Sequence, residues 1–313
     1  MLKQRIITAT LLATFVVLAV FELPNDYFSL LIALIILVGA HEWLNLTNVT
    51  DKKKRALFFA VLIGSMLFIH FWTYLLEIAA GVLDYLAEKF KFVLEDIRKQ
   101  SGLLEWLMLP AIIFWVIAML SIRNSPEGVL KLELSPFKQA AIGWFILLMS
   151  WMALSRLHSF YGAGTTMYFL ALIWVADIAA FFTGKKWGKT KLSPEISPGK
   201  TVEGMYGALG ASIVYSLAVL ITVSAMTGNG LGEKLAIMSI ADFTLLSVLS
   251  VLISIYGDLF FSAVKRRAGA KDSGSLLPGH GGILDRIDSL IAAAPLFYAG
   301  FTLKGFELEI LFS

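Results

Sequence analysis

The sequence predicts an all-α, polytopic integral membrane protein of about nine transmembrane helices, and three observations carry that expectation. The first is composition: of 313 residues, 58% are hydrophobic and only 16% charged, where a soluble domain carries roughly 25% charged residues. Mean hydropathy is +0.78. The second is that apolar runs of about 17–25 residues, enough to cross a bilayer as helices, recur along the whole chain. The third is the placing of basic residues, which favours alternate connections. The formal net charge of +3 is small, so its distribution says more than its sum. With no cysteine, disulfides, thiolate chemistry and Cys-ligated metal sites are excluded.

In chain order, the nine runs are 5–21, 27–46, 56–76, 103–121, 139–155, 165–183, 203–226, 241–261 and 287–304. The first follows Lys3 and Arg5, as a signal peptide would. It ends in Phe21-Glu22-Leu23-Pro24, which offers no small-residue cleavage site, and it reads as a retained anchor. Residues 77–102 place Val82, Leu86, Phe90, Val93 and Ile97 at helical spacing among Asp84, Glu88, Lys91, Glu95 and Arg98. That pattern suits an interfacial amphipathic helix or, equally, a packed structural one. The chain reads as one membrane domain, 1–313, with 1–160 as scaffold and lipid access and 165–304 carrying the chemistry.

Connections on one side of the bilayer carry 19 of the 26 lysines and arginines, and the other side carries 7. The positive-inside rule puts the richer side, and the N-terminus, in the cytoplasm and the C-terminus outside. The basic loops lack the interleaved aromatics of a nucleic-acid platform.

Ionisable residues inside spans are functional candidates. His41, Glu42 and His70 lie near span ends, where headgroup depth suffices to explain them; Glu42 is also a candidate for lining an active cavity. Asp177 lies deeper, roughly 10 Å below the end of its span at 1.5 Å per residue. It needs a partner helix, a metal or a wet cavity. The loop that follows, GKKWGKTKLSPEISPGKTVEG, misses the P-loop: Gly184 to Gly188 leaves three residues where four are required, and no strand is expected before it. Lys185, Lys189 and Lys200 can still meet phosphate as point charges, or they only set topology. Ser197-Pro198 and Thr201 are placed to cap the seventh span.

The densest chemistry lies between Gly257 and Asp288. Asp258, Asp272, Asp285 and Asp288 mix there with Lys265, Arg266, Arg267, Lys271 and Arg286, and glycines surround His280. Such a stretch builds no apolar core. It suits a site that holds a divalent cation with carboxylates and phosphate with basic groups. Asp285 and Asp288, three apart, share a face if a helix begins there. The glycines permit positive φ, and the amide end of that helix favours anions. A charged connecting loop with a capped helix start is the alternative for any one pair.

Ser262, Lys265-Arg266, Lys271-Asp272, Gly274, Leu277-Pro278, His280-Gly281-Gly282, Asp285-Arg286 and Asp288 match, without a gap, the signature of phosphatidate cytidylyltransferases, and the chain resembles that family. The likeness extends upstream to Trp174, Asp177, Gly184-Lys185, Gly188-Lys189, Ser197-Pro198, Lys200-Thr201 and Glu203-Gly204. The resemblance implies transfer of a cytidylyl group from CTP to phosphatidic acid in a bacterial inner membrane, with Mg²⁺ and room for a second cation. It implies metal ligation by Asp258 and Asp285 with Asp288 close by, and catalytic phosphate contacts from Lys265, Arg266, Lys271 and Arg286. Asp177, Lys185, Lys189, Lys200, Ser262, Asp272, His280, Gly281 and Gly282 are the expected substrate-binding residues. The implied partners are CTP, phosphatidic acid and membrane lipids, with a homodimer left open. Another membrane phosphotransferase acting on a lipid phosphate, or a secondary transporter using Asp177 and Asp258, are the competing classes.

Overall fold

The computed structural model describes residues 2–91, 96–226, 237–277, 279 and 281–304. Its helices are α1 (Leu2–Glu22), α2 (Asn25–Leu46), α3 (Lys52–His70), α4 (Trp72–Phe90), a 3₁₀ helix (Ile97–Leu107), α5 (Met108–Asn124), α6 (Pro126–Lys131), α7 (Pro136–Trp187), α8 (Val202–Met226), α9 (Ile237–Arg267) and α10 (Leu284–Lys304). Among the described residues five helices are long and apolar enough to cross a membrane, six if α3 and α4 count as one bent span. The protein is an all-α integral membrane protein, with one small addition that the sequence did not announce. Strands β1 (Lys191–Ser193) and β2 (Ser197–Thr201) form an antiparallel hairpin in the basic loop.

Local chemistry explains the helix ends. Asp51 caps α3 by accepting from the amides of Lys53 (2.7 Å) and Lys54 (3.3 Å). α7 begins with Pro136 behind the cap Ser135. Thr201 does cap α8, its Oγ1 accepting from the Gly204 amide at 3.1 Å, whereas Ser197 is drawn into β2.

Two expected boundaries differ. The third run stops at His70, and the chain bends by 64° into α4. That helix is pinned by Arg98, which reaches Glu77 (3.0 Å) and Asp84 (2.9 Å) on it. The amphipathic helix expected over 77–102 therefore starts earlier and ends at Phe90; Ile97 opens the 3₁₀ helix instead, and Val93 and Glu95 lie outside the described residues. The fifth and sixth runs are joined without a loop into α7, 52 residues long, broken only at Gly162 (φ 76°, ψ 176°). Gly can take that φ without a Cβ clash.

α7, α8, α9 and α10 pack against one another, with α2 and α5 alongside. Close approach of α9 to α10 depends on Gly257, where a Cβ would collide with the Ala292 side chain and sit 3.3 Å from the Asp288 carbonyl. α2 is tied to α7 by the Trp43 Nε1 hydrogen bond to the Gln139 carbonyl (3.1 Å) and by Trp151 Nε1 to Ser29 (3.1 Å). This frame fixes the first turn of α10 against the last turns of α9.

Candidate active site

Asp258, Ser262 and Lys265 recur at i, i+4 and i+7, so α9 presents them on one face. Ser262 Oγ donates to Asp258 Oδ1 (3.2 Å). Across from them, α10 offers Asp285 and Asp288 in its first turns. Lys265 Nζ lies 2.6 Å from Asp285 Oδ1, with side chains only 12% and 6% exposed. Asp285 Oδ2 accepts from the amides of Ser273 (2.8 Å) and Gly282 (3.0 Å). Asp288 is buried, its Oδ1 accepting from the Ser289 amide at 2.8 Å, and it lies within electrostatic reach of Asp258, Lys265 and Lys200.

The hairpin supplies the second cation. Lys200 on β2 places Nζ 2.7 Å from Asp258 Oδ2 and 3.3 Å from the Ile255 carbonyl. Ile196, fully buried, anchors the hairpin among Tyr256, Leu259 and Ala263 of α9. Arg266 reinforces it, donating from Nε to the Ile196 carbonyl (3.3 Å) and from Nη1 to Ala270 (3.4 Å). The guanidinium expected on phosphate is thus engaged on backbone carbonyls.

Asp258, Lys265, Asp285 and Asp288 border a cavity of about 740 Å³, while Lys200 touches it only through its pair with Asp258. Asp177, Asp258, Lys265, Asp272, Asp285, Arg286 and Asp288 line its polar end, and apolar side chains of α1, α2 and α7 line the rest. Asp177 is exposed into it, within electrostatic reach of Asp258, Lys200 and Arg286. Leu12 (38% exposed) and Phe15 (51%) of α1 belong to the apolar wall.

Other expected residues fall elsewhere. Lys185 and Lys189 are exposed and do not line the cavity; Lys185 sits over the Phe181 ring at 5.9 Å. Lys271 is exposed on the loop. His280 lies outside the described residues. Gly279 and Gly281 do adopt positive φ, 75° and 84°. Gly281 packs on Asp285, where a Cβ would lie 2.7 Å from Oδ2; a Cβ on Gly282 would strike Ser273 Oγ and the Glu42 carboxylate. Protein neighbours alone therefore leave no room for a side chain at Gly282. The amide end of α10, expected to attract a ligand anion, is likewise taken by the protein's own acid: Glu42 accepts from the amides of Ile283 (3.0 Å) and Leu284 (2.8 Å). Glu42 itself does not line the cavity. Its role escaped the sequence reading, although an acid in an apolar span always demands a partner.

Among the described residues, no three His, Cys, Asp or Glu side chains gather closely enough to hold one ion. The donor set still fits Mg²⁺, which takes one or two carboxylates and completes its shell with phosphate and water. Paired acids and two lysines thus meet at the polar end of an apolar cavity inside a helical membrane protein, an arrangement suited to phosphate groups. The chain belongs to the cytidylyltransferase family, whose model matches residues 3–303. It is 32% identical over 304 residues to a phosphatidate cytidylyltransferase of Haemophilus influenzae, covering 95% of this chain and 97% of that one. Against the enzyme of that name from Pseudomonas aeruginosa it is 36% identical over 300 residues, covering 96% of both. The Thermotoga maritima phosphatidate cytidylyltransferase is 30% identical over the same share of both chains.

Proposed function

We propose that the protein transfers a cytidylyl group from CTP to phosphatidic acid, giving CDP-diacylglycerol and pyrophosphate. The observation that carries this is one cavity joining a lipid-sized apolar wall to the charged turn between α9 and α10. A phosphatidate oxygen attacks the α-phosphorus of CTP; the new P–O bond forms as the bond to the β-phosphate oxygen breaks, and pyrophosphate leaves. The nucleophile is already ionised, so no general base is needed. The difficulty is bringing anion to anion, which positioning and counter-charge resolve. Lys265 and Arg286, which line the cavity, and Lys200, paired with the cavity's Asp258, are the cations that would meet the phosphates. Asp258, Asp285 and Asp288 are the residues that would hold Mg²⁺, with room for a second cation; bound there, Mg²⁺ would neutralise phosphate charge. Helices α1 and α2 form the lipid side of the cavity, consistent with a scaffold and entry role for the first half of the chain.

We further propose nine spans, N-terminus inside and C-terminus outside, in a bacterial inner membrane. Straight, the 52 residues of α7 would extend about 78 Å at 1.5 Å per residue, against about 30 Å of hydrocarbon. The break at Gly162 therefore supports two spans within α7, and α1 and α10 are counted as spans beside them. The site then faces cytoplasmic CTP. Purified protein given phosphatidate, CTP and Mg²⁺ should yield CDP-diacylglycerol and pyrophosphate, much faster than with ATP or GTP, and chelation should stop it. Equal rates with all nucleotides would count against the assignment. Reporter fusions after Lys200 and Arg267 should both read cytoplasm.

A further inference from the structure

We infer that Glu42 is a positioning residue: from α2 it latches the loop before α10 and caps α10, setting the place of Asp285 and Asp288 against α9. Glu42 is 5% exposed. Its Oε2 accepts from Ser273 Oγ (2.8 Å) and the Leu284 amide (2.8 Å), and its Oε1 from the Ile283 amide (3.0 Å). These partners lie 231 to 242 residues away in sequence. The first amides of a helix have no partner within it, and an acid there is favoured by the helix dipole. Glu42 provides that acid from a different helix. A buried carboxylate without such donors would be costly, so the loop and Glu42 hold each other in one arrangement.

The arrangement is shared with the site. Ser273 gives its hydroxyl to Glu42 and its amide to Asp285. Gly282 gives its amide to Asp285 while its missing side chain leaves room for the Glu42 carboxylate. Gly274 does the same from the other side, where a Cβ would lie 2.5 Å from Oε1. Thus two acids grip one loop from opposite sides. Asp285 faces Lys265 and the cavity, and Glu42 faces the protein interior. Loosening Glu42 lets the α10 turn drift, and with it the carboxylates set against α9. Misplacement of that kind reduces turnover without removing any group that touches substrate.

This inference rests on the cytidylyl-transfer reading for its kinetic consequences but not for its geometry, and the test separates the two. Glu42→Gln keeps size, removes charge and turns one acceptor into a donor that faces amides. Without any substrate, hydrogen exchange at the Ile283 and Leu284 amides should speed by at least about tenfold, as expected for loss of a charged cap. In the activity assay, kcat should fall about tenfold or more while KM for phosphatidate stays within about twofold. The half-saturating Mg²⁺ concentration should rise, and Glu42→Asp should recover part of the loss. Gly274→Ala should be damaging through its clash with Glu42, the one side chain its Cβ would meet closely. Glu42→Ala/Gly274→Ala should then be no worse than the worse single variant, because the two residues share one contact. Unchanged exchange at Ile283 and Leu284 in Glu42→Gln would overturn the latch, as would additive losses in the double variant. A kcat loss matched only by loss of folded protein would reduce Glu42 to a stability role and also overturn it. A wild-type protein inactive with CTP and phosphatidate would instead sink the functional reading, and the exchange result would still decide the latch.

Discussion

Two charge clusters in this protein look alike in sequence and differ in the structure. On the α4 side, Arg98 is 38% exposed and binds Glu77, Asp84 and Asp96 at 2.9–3.1 Å, with the acids 47–65% exposed. Between α9 and α10, Lys265 and Asp285 are 12% and 6% exposed at 2.6 Å, with Lys200 on Asp258 beside them. The first cluster has more ion pairs around one cation. Exposed pairs of that kind add little stability in water, and they serve to pin α4 to the 3₁₀ helix. Charges in the second cluster have been taken largely out of water, at a desolvation cost that partners only partly offset. Asp258, Lys265 and Asp285 also line the cavity described above, and Arg98, Glu77, Asp84 and Asp96 do not line it. Ion-pair density is thus a poor marker of a site. Charge held where burial makes it costly, with an open path to a ligand, is a better one.

Substitutions sharpen the contrast. The largest effect is expected from Asp258→Asn and Asp285→Asn, each losing more than about 100-fold in CDP-diacylglycerol formation, the scale of one strong electrostatic contact in a transition state. Residues acting as a unit are non-additive, so the double variant should be little worse than either. Near-normal turnover of Asp285→Asn at saturating Mg²⁺ would leave Asp285 only its loop-ordering bonds. Lys265→Met comes next: it strands a buried carboxylate, so activity should drop and the thermal midpoint should fall by an amount matching up to about 3–5 kcal/mol. Gly257→Val should act through packing alone, destabilising by about 1–3 kcal/mol as α9 and α10 are forced apart; a melt in detergent reads it. The smallest effect belongs to Arg98→Ala, with turnover within about twofold of wild type, as for surface ion pairs. Asp96 gives that corner a pH signature. The Arg98 amide holds its carboxyl below the ordinary value of 3.8. Its contribution is therefore present above that value and is lost as pH falls through the lower folded one. Being at the surface, it should move the melt only slightly there, and a large acid shift would break the comparison.

The legible parts of the site were those set by short spacing. Asp285 and Asp288, three apart, share a face once a helix begins there, and Thr201 stood where a cap was needed. Of the loop glycines read as permitting positive φ, Gly279 and Gly281 adopt it and Gly282 does not. What stayed hidden depended on distant register. Nothing near Arg266 told that its guanidinium would meet the Ile196 carbonyl 70 residues away. Nothing near Glu42 named Ser273 or Leu284. The β1–β2 hairpin is too short to show strand periodicity amid Lys, Pro and Gly, and it is seated by Ile196 on α9 rather than by its own pattern. The join at Gly162 was obscured because two apolar runs meeting at a kink read the same as two runs meeting at a loop.

The distance between Glu42 and its partners also sets an order of events during synthesis. Ser273 follows Glu42 by 231 residues, so at about 5–20 residues per second the acid waits roughly 10–50 s for its first donor. Helix α2 must therefore insert with that carboxylate still solvated at the membrane surface, and most of the bundle must be made before it can close. The chemistry-bearing turn is then assembled last, by a residue translated early. A chain that stops short of Ser273 keeps its scaffold helices and yet lacks all three donors that Glu42 meets in the finished fold.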